Sequence, residues 1–212
     1  MQQLLLPLTL PTAFAPDSFI ISACNETAYS QAFADWNFAL YLQGEKASGK
    51  SHLAAIWAEK NRAKIISAAE FNDFSQITNA KNIVLEDIEN AVSETAIFHL
   101  LNHAKNTNGK LLITSALPPN SLEFALPDLC SRLRAFPLAK INEPDENLLS
   151  ILLHKQFSDR QILVDDELVA YLLPRMERSF ASVQEIAENL DSAALSTKRN
   201  ITIRFAKEQL GW

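Results

Sequence analysis

Glycine is scarce in this chain, and cysteine is scarcer still. The 212 residues include four glycines and two cysteines. Cys24 and Cys130 lie far apart and match no metal-ligand spacing, so we expect free thiols in a reducing compartment rather than a disulfide framework. Because glycines are so few, two of them at a required spacing indicate a specific backbone turn rather than chance.

Long apolar runs and an excess of positive charge are missing as well. Nineteen Lys and Arg against 25 Asp and Glu give a net charge of -6, which argues against a surface devoted to sequence-independent DNA binding. The N-terminus lacks a charged n-region and a small-residue cleavage site, and no apolar run approaches the ~20 residues that cross a bilayer. We therefore expect a cytoplasmic globular protein without membrane contact.

The apolar pattern divides the chain into three parts. Residues 1–16 place prolines among leucines and predict an extended tail. Residues 17–143 alternate short apolar strands with helices, which is typical of an α/β domain with a buried parallel sheet. Residues 144–212 lose the strand signals and predict a small helical lid domain. The predicted strands are 38–43, 63–67, 82–87, 110–115 and 136–141. The predicted helices are 49–61, 94–106, 128–134, 148–157, 165–173, 180–196 and 201–210, the last with a strand-like start.

A phosphate-binding loop (P-loop) occupies residues 44–51, which read GEKASGKS and match G-x-x-x-x-G-K-[ST] in full. The motif follows a predicted strand and opens a predicted helix. Glycines let successive backbone N–H groups face phosphate oxygens, the lysine reaches the β- and γ-phosphates, and the serine helps to hold Mg²⁺. We predict binding of ADP or ATP with Mg²⁺ through Gly44, Ala47, Ser48, Gly49, Lys50, Ser51 and His52.

Two acids end the strand predicted at 82–87. A P-loop protein needs a carboxylate at a buried strand end, so Glu86 and Asp87 are the candidates for holding Mg²⁺ through water and for polarising an attacking water. A surface pair at a strand end is the alternative. Thr114 or Ser115 ends the next strand and offers a hydroxyl to the γ-phosphate or its water.

Arginines and histidines supply weaker candidates. Arg132 and Arg134 lie in a short predicted helix, where an arginine can serve as a finger reaching a neighbour's nucleotide. A solvated pair is the alternative, and the residues alone do not decide between them. His99 and His103 are four apart on a helix but have no evident third ligand, so metal binding there is disfavoured.

The order of these parts resembles the AAA+ ATPases and, within them, DnaA, the bacterial replication initiator. Residues 44–53 (GEKASGKSHL) resemble its P-loop, and residues 131–133 (SRL) resemble its arginine-finger motif. Residues 178–180 (RSF) resemble its sensor 2 in the lid, and residues 19–25 (FIISACN) resemble the segment that lies against adenine. The resemblance implies catalytic roles for Arg132, Asp87 and Glu86, and further nucleotide contacts from Thr114, Arg178, Ile21 and Asn25.

Two departures from DnaA indicate a narrower branch. DnaA has a C-terminal helix-turn-helix domain, whereas this sequence ends at Trp212, directly after the predicted lid. Residues 3–8 (QLLLPL) also resemble the hexapeptide with which partners bind the sliding clamp of DNA polymerase III. Such a peptide places leucines in an apolar pocket and a glutamine at its rim. The clamp-binding residues would be Gln3, Leu4, Leu6, Pro7 and Leu8. A tail packed on its own domain is the alternative.

This combination resembles the Hda family of DnaA-related regulators. The resemblance implies that a clamp loaded on DNA recruits the protein, which then presents Arg132 to ATP on DnaA and promotes its hydrolysis. DNA would be contacted only through the clamp. Glu86 stands where DnaA-like proteins normally have Asp, so we expect slow or no turnover by the chain itself. A helicase loader of the DnaC type is the alternative function. Self-association stays undecided.

Overall fold

A computed structural model describes residues 19–77 and 80–212. The predicted tail and its hexapeptide (residues 3–8) lie outside the described residues, so the clamp-binding prediction stays a prediction.

A five-stranded parallel sheet forms the centre of the first domain. The strand order is β2-β3-β4-β1-β5, so the strand before the P-loop lies between β4 and β5. Because all strands run in the same direction, their carboxyl ends meet at one edge, and the register places Gln43 beside Ser115 there. All five predicted strands are confirmed, within one or two residues at most ends: β1 (Ala39–Gln43), β2 (Lys64–Ser67), β3 (Ile83–Glu86), β4 (Leu111–Ser115) and β5 (Leu138–Lys140).

Helices cover both faces of this sheet. Both faces of strand β4 are apolar and need to be covered. Because successive side chains of a strand point to opposite faces, Leu111 and Ile113 belong to one core cluster and Leu112 to the other. The first cluster includes apolar residues of α3 and α4, and the second includes those of α1 and α2. These helices are α1 (Glu26–Phe33), α2 (Lys50–Asn61), α3 (Glu94–Asn106) and α4 (Pro127–Ala135).

The second domain, predicted to be a lid, consists of four helices with their own core. Leu153, Phe157, Leu172, Leu190 and Phe205 are buried together in it. The four helices are α5 (Glu146–Asp159), α6 (Asp166–Leu172), α7 (Phe180–Thr197) and α8 (Ile203–Leu210). Each begins after a residue whose side chain accepts a backbone N–H bond, which fixes its start: Asp145, Asp165, Ser179 and Thr202. The segment predicted at 201–210 is therefore a helix.

Helix α1 is the element that the pattern did not predict. Its buried residues are the small Ala28 and Ala32, and the side chain of Asn25 before it makes no cap bond, so the usual start signal is absent. Among the described residues, no helix is both long and apolar enough to cross a membrane.

Candidate nucleotide-binding site

The P-loop forms a tight turn between β1 and α2. The N–H of Gly44 donates to the carbonyl of Ser115 at 3.1 Å, which ties the loop to the end of β4. Ala47 and Gly49 have left-handed backbones, with φ of 64° and 89°. A Cβ on Gly44 would lie 2.6 Å from Ser48 Oγ and 3.1 Å from Ile141 Cβ, so the turn leaves no room for a side chain there.

Lys50 begins α2 and is buried inside this turn, with 7% of its surface exposed. Its Nζ donates a hydrogen bond to the carbonyl oxygen of Glu45 at 2.8 Å. Burial lowers the pKa of Lys50, and the carboxylates of Asp87, Glu89 and Glu86 act in the opposite direction. An ammonium group is therefore held at the helix N-terminus, beside the acidic ends of the sheet.

The loop also contains a polar atom whose environment fits a phosphate. Ser48 Oγ is buried and has no hydrogen-bond partner among the described residues. A buried hydroxyl without a partner is costly, and a phosphate oxygen would accept its proton. Together with Lys50 and the positive end of the α2 dipole, this donor set fits a polyphosphate.

Glu86 and Ser51 meet across the loop. The Ser51 side chain is hydrogen-bonded to Glu86, so the serine at the end of the P-loop contacts the acid at the end of β3. Burial raises the pKa of Glu86, and the Ser51 bond opposes that shift. A hydroxyl and a carboxylate are the ligand types that hydrated Mg²⁺ uses in nucleotide sites.

Asp87 and Thr114 connect the ends of β3 and β4. Asp87 has a left-handed backbone, with φ of 52°, and its N–H donates to Thr114 Oγ1 at 3.0 Å. Thr114 is fully buried. The Ser115 hydroxyl accepts from the N–H of Leu117 at 3.0 Å, and the Tyr41 hydroxyl donates to the carbonyl of Leu117 at 2.9 Å. The hydroxyls of Thr114 and Ser115 thus hold the acidic strand end and the exit of β4. Direct contact of Thr114 with phosphate stays a prediction.

The structure adds one acid that the sequence analysis missed. Glu89 lies in a short 3₁₀ turn (Ile88–Asn90) after β3, and its Oε1 accepts from the N–H of Ala116 at 2.8 Å. Its Oε2 is buried without a hydrogen-bond partner among the described residues. The available signal was a third acid within four positions of Glu86.

The segment predicted to lie against adenine is packed beside the P-loop. Asn25 is buried; its Nδ2 donates to the carbonyl of Ile20 at 2.9 Å, and its Oδ1 accepts from the N–H of Ser22 at 2.9 Å. The ring of Phe19 lies 5.3 Å from that of His52. Ile21 is exposed and offers an apolar side chain next to this loop. Asn25 therefore shapes the segment, and base contact through Ile21 stays a prediction.

Arg132 is held on the outer side of α3 and α4. Its guanidinium donates to Asn102 Oδ1 at 2.7 Å, pairs with Asp128 at 3.1 Å, and stacks 4.5 Å from the ring of Phe98. Arg134, on the same helix, is exposed.

Arg178, the predicted sensor 2, lies just before α7. It is mostly exposed and pairs with Glu146 at the start of α5 at 3.2 Å. Its contact with a phosphate stays a prediction.

No group of three or more His, Cys, Asp or Glu residues within 19–77 and 80–212 is arranged as a metal site by itself.

Comparisons with known protein families and sequences give two matches. The family model for the Hda lid domain matches residues 145–210. An uncharacterized protein of Haemophilus influenzae is 30% identical, and the match covers 80% of each chain.

The fold is similar to those of several solved structures. Domain III of the replication initiation protein DnaA from Thermotoga maritima superposes with a TM-score of 0.79 at 17% identity, covering 95% of this chain and 97% of that one. AMPPCP-bound DnaA from Aquifex aeolicus gives a TM-score of 0.68 at 17% identity, covering 85% and 65%. The RuvB Holliday junction branch migration motor of Thermotoga maritima gives 0.63 at 12% identity, covering 89% and 65%.

Proposed function

Because the chain belongs to the Hda-like branch of the DnaA-related AAA+ proteins, we propose that it is an adenine-nucleotide-binding regulator of replication initiation. In this role it binds the DNA polymerase III sliding clamp and promotes hydrolysis of ATP bound to DnaA. The proposal joins a nucleotide site in the chain itself with an arginine offered to a partner.

The observation that supports it best is the phosphate cradle. Lys50 is buried at the start of α2, Ser48 Oγ has no partner, and Gly44 leaves no room for a side chain. These three features have a common explanation in a polyphosphate bound by the loop and the helix N-terminus.

The described residues divide the work of holding ADP or ATP. Lys50 and Ser48 would bind phosphate oxygens, and Ser51 with Glu86 would bind Mg²⁺, which neutralises phosphate charge when present. Ile21 and the segment ordered by Asn25 would cover the base. DnaA from Aquifex aeolicus is described with AMPPCP bound, which supports an adenine nucleotide as the ligand class.

Arg132 is the residue offered to DnaA. A guanidinium next to a transferring phosphoryl group stabilises the charge that develops in the transition state. The bonds that its guanidinium donates to Asn102 and Asp128 hold it on the surface of the α3–α4 pair, with 35% of its side chain exposed. A partner that docks on this surface would meet an arginine whose position is already fixed.

Slow ATP hydrolysis by the chain itself is expected from the acid at the end of β3. Glu86 replaces the Asp that DnaA-like proteins have there, and a longer side chain changes the reach of the carboxylate toward Mg²⁺. Bound ADP or ATP would then serve mainly to stabilise the folded protein. Purified protein is expected to retain ADP or to hydrolyse ATP slowly, and fast steady-state hydrolysis without partners would contradict this.

The finger assignment is tested by hydrolysis of ATP bound to DnaA in the presence of clamp loaded on DNA. Arg132→Ala should reduce the stimulated rate by about 10³-fold, the lower end of what an arginine finger supplies. Arg134→Ala is the matched control, because it removes an exposed arginine two residues away and should keep the wild-type rate. Full activity of Arg132→Ala would show that the finger assignment is wrong.

Clamp binding is tested separately with immobilised clamp. Retention that disappears in the double variant Gln3→Ala with Leu6→Ala supports the hexapeptide, and Leu5→Ala serves as the matched change within the same segment. Absence of retention in the wild type, combined with binding to a helicase or single-stranded DNA, would favour a helicase loader of the DnaC type instead.

A further inference from the structure

Glu89 is the acid at the phosphate site that the proposed roles above do not use. Its turn follows β3, and its Oε1 accepts the Ala116 N–H at 2.8 Å, just beyond the end of β4. The side chain therefore ties together the two strand ends that carry Asp87 and Thr114, at the edge of the sheet where the P-loop lies.

The second carboxylate oxygen of Glu89 has no such structural partner. Oε2 is buried and unbonded among the described residues, although a carboxylate oxygen can accept two hydrogen bonds. A neutral side chain could also accept the Ala116 N–H, so this hydrogen bond does not explain why the position carries a carboxylate. The negative charge thus needs a reason other than the turn.

The negative charge of Glu89 is explained by its neighbours, the P-loop and Lys50. Ala116, whose N–H Glu89 accepts, directly follows Ser115, and the Ser115 carbonyl accepts the Gly44 N–H of the P-loop at 3.1 Å, so the Glu89 turn lies at the strand end that contacts the P-loop. The negative charge of Glu89 also acts to raise the pKa of Lys50. Glu89 is thus electrostatically part of the phosphate site. Since a negative charge there repels a bare polyphosphate and attracts a divalent cation, it makes tight nucleotide binding depend on Mg²⁺.

We propose that Glu89 is a positioning residue of the nucleotide site: one carboxylate oxygen fixes the exit of β4, and its negative charge sets the Mg²⁺ dependence of nucleotide binding. The inference rests on the proposed nucleotide binding and requires neither the clamp nor DnaA.

The test measures the dissociation constant for ADP in EDTA and in Mg²⁺ by calorimetry on the purified full chain. The quantity of interest is the ratio of the EDTA value to the Mg²⁺ value. Glu89→Gln retains a carbonyl that can accept the Ala116 N–H but removes the charge. We expect this ratio to fall about fivefold, with tighter binding in EDTA, the size expected for one unit charge partly screened by water.

Glu94→Gln is the matched control. Glu94 also accepts backbone N–H bonds at 2.8 Å, from Ala125 and Leu126, but its charge is not among those acting on Lys50. Its ratio should equal that of the wild type. Glu89→Asp retains the charge with a shorter side chain and provides a second test; it should keep a ratio within about twofold of wild type.

An unchanged or increased ratio in Glu89→Gln would overturn the inference, as would a ratio in Glu89→Asp that falls as far as that expected of Glu89→Gln. A wild-type protein that binds ADP in neither condition would instead overturn the proposed nucleotide binding itself, so the two failures are distinguishable.

Discussion

Glu86, which we propose helps to hold Mg²⁺, lies in surroundings that destabilise its charged form in the nucleotide-free protein. Burial raises the pKa of this carboxyl above its ordinary value, so the folded protein disfavours the ionised form that Mg²⁺ requires. The protonated carboxyl is the form that the folded protein favours. The stability that this preference contributes is fully present below the unfolded pKa near 4.5, and it is lost as pH rises through the folded pKa.

Glu86→Gln should therefore stabilise the nucleotide-free protein at neutral pH. Gln removes the buried charge and can still accept the Ser51 hydroxyl bond, so we expect a gain of ~1 kcal/mol at most, or a Tm increase of ~2–4 °C. Thermal melts from pH 4 upward should show the difference growing with pH and then levelling off. A less stable variant at pH 7 would contradict this account.

Asn102 is a second single residue with a testable effect, because its hydrogen bond with Arg132 fixes the direction of the guanidinium. Asn102→Ala removes the 2.7 Å bond to the guanidinium, and we expect stimulated hydrolysis of DnaA-bound ATP to fall by about 10-fold. Asn106→Ala, one turn further along α3, is the control. In an Arg132→Ala background, Asn102→Ala should have no further effect, because the two changes act on one interaction. An additive loss would show that Asn102 acts elsewhere.

At the scale of single elements, the sequence predicts those whose start signals are local. Helix α3 was predicted at residues 94–106 and runs Glu94–Asn106, because the Ser93 side chain accepts the Ala96 N–H and an apolar face follows. Helix α1 was missed because Asn25 bonds to Ile20 and Ser22 instead of capping.

In the candidate site, too, the parts with local sequence signals were predicted and the parts that depend on distant contacts were not. The P-loop and the acids after β3 are contiguous in sequence and were predicted from it. The bond between Glu89 and Ala116, and that between Arg132 and Asn102, join residues about 30 positions apart. No local pattern encodes such contacts, since they depend on how β3 and β4, or α3 and α4, lie against each other.

Helix α6 gives a prediction at this scale. Its Asp165 cap accepts the Leu168 N–H at 2.8 Å, and the helix has only seven residues, Asp166–Leu172. Asp165→Ala should destabilise the lid by about 1 kcal/mol, whereas Asp165→Asn, which keeps the acceptor, should cost only a few tenths. Urea unfolding followed by circular dichroism measures both. Equal losses in the two variants would indicate that charge, not capping, is what Asp165 supplies.

At the scale of the whole molecule, the lid is joined to the first domain through the core beneath the P-loop helix. Leu148 of α5 and Phe180 of α7 are buried in the same cluster as Leu53 and Trp57 of α2. The N–H of Asn142, just before the lid, donates to the carbonyl of Cys24 at 2.9 Å, beside the segment predicted to cover adenine. A ligand at the P-loop therefore lies next to the junction of the two domains.

Arg178 lies two residues before Phe180 at this junction. Its predicted contact with nucleotide can therefore be tested by the increase in Tm that a bound nucleotide causes. Ligand at 1,000 times its dissociation constant should stabilise the folded protein by about 4 kcal/mol, which corresponds to a Tm increase of ~8–16 °C for a chain of this size. Lys50→Ala should abolish the increase. Arg178→Ala should lower it by several degrees, because the predicted contact of this arginine with phosphate is lost.

Arg178→Ala should leave the Tm of the nucleotide-free protein within about 2 °C of wild type, because the exposed Arg178–Glu146 pair contributes little stability by itself. Arg175→Ala is the matched control: that lid arginine stacks on Tyr171 at 4.0 Å and should keep the full nucleotide-dependent increase. Should Arg178→Ala retain the wild-type increase with both ADP and ATP, the lid would not sense the nucleotide through this residue, and the packing of Leu148 and Phe180 against α2 would be the remaining connection between the two domains.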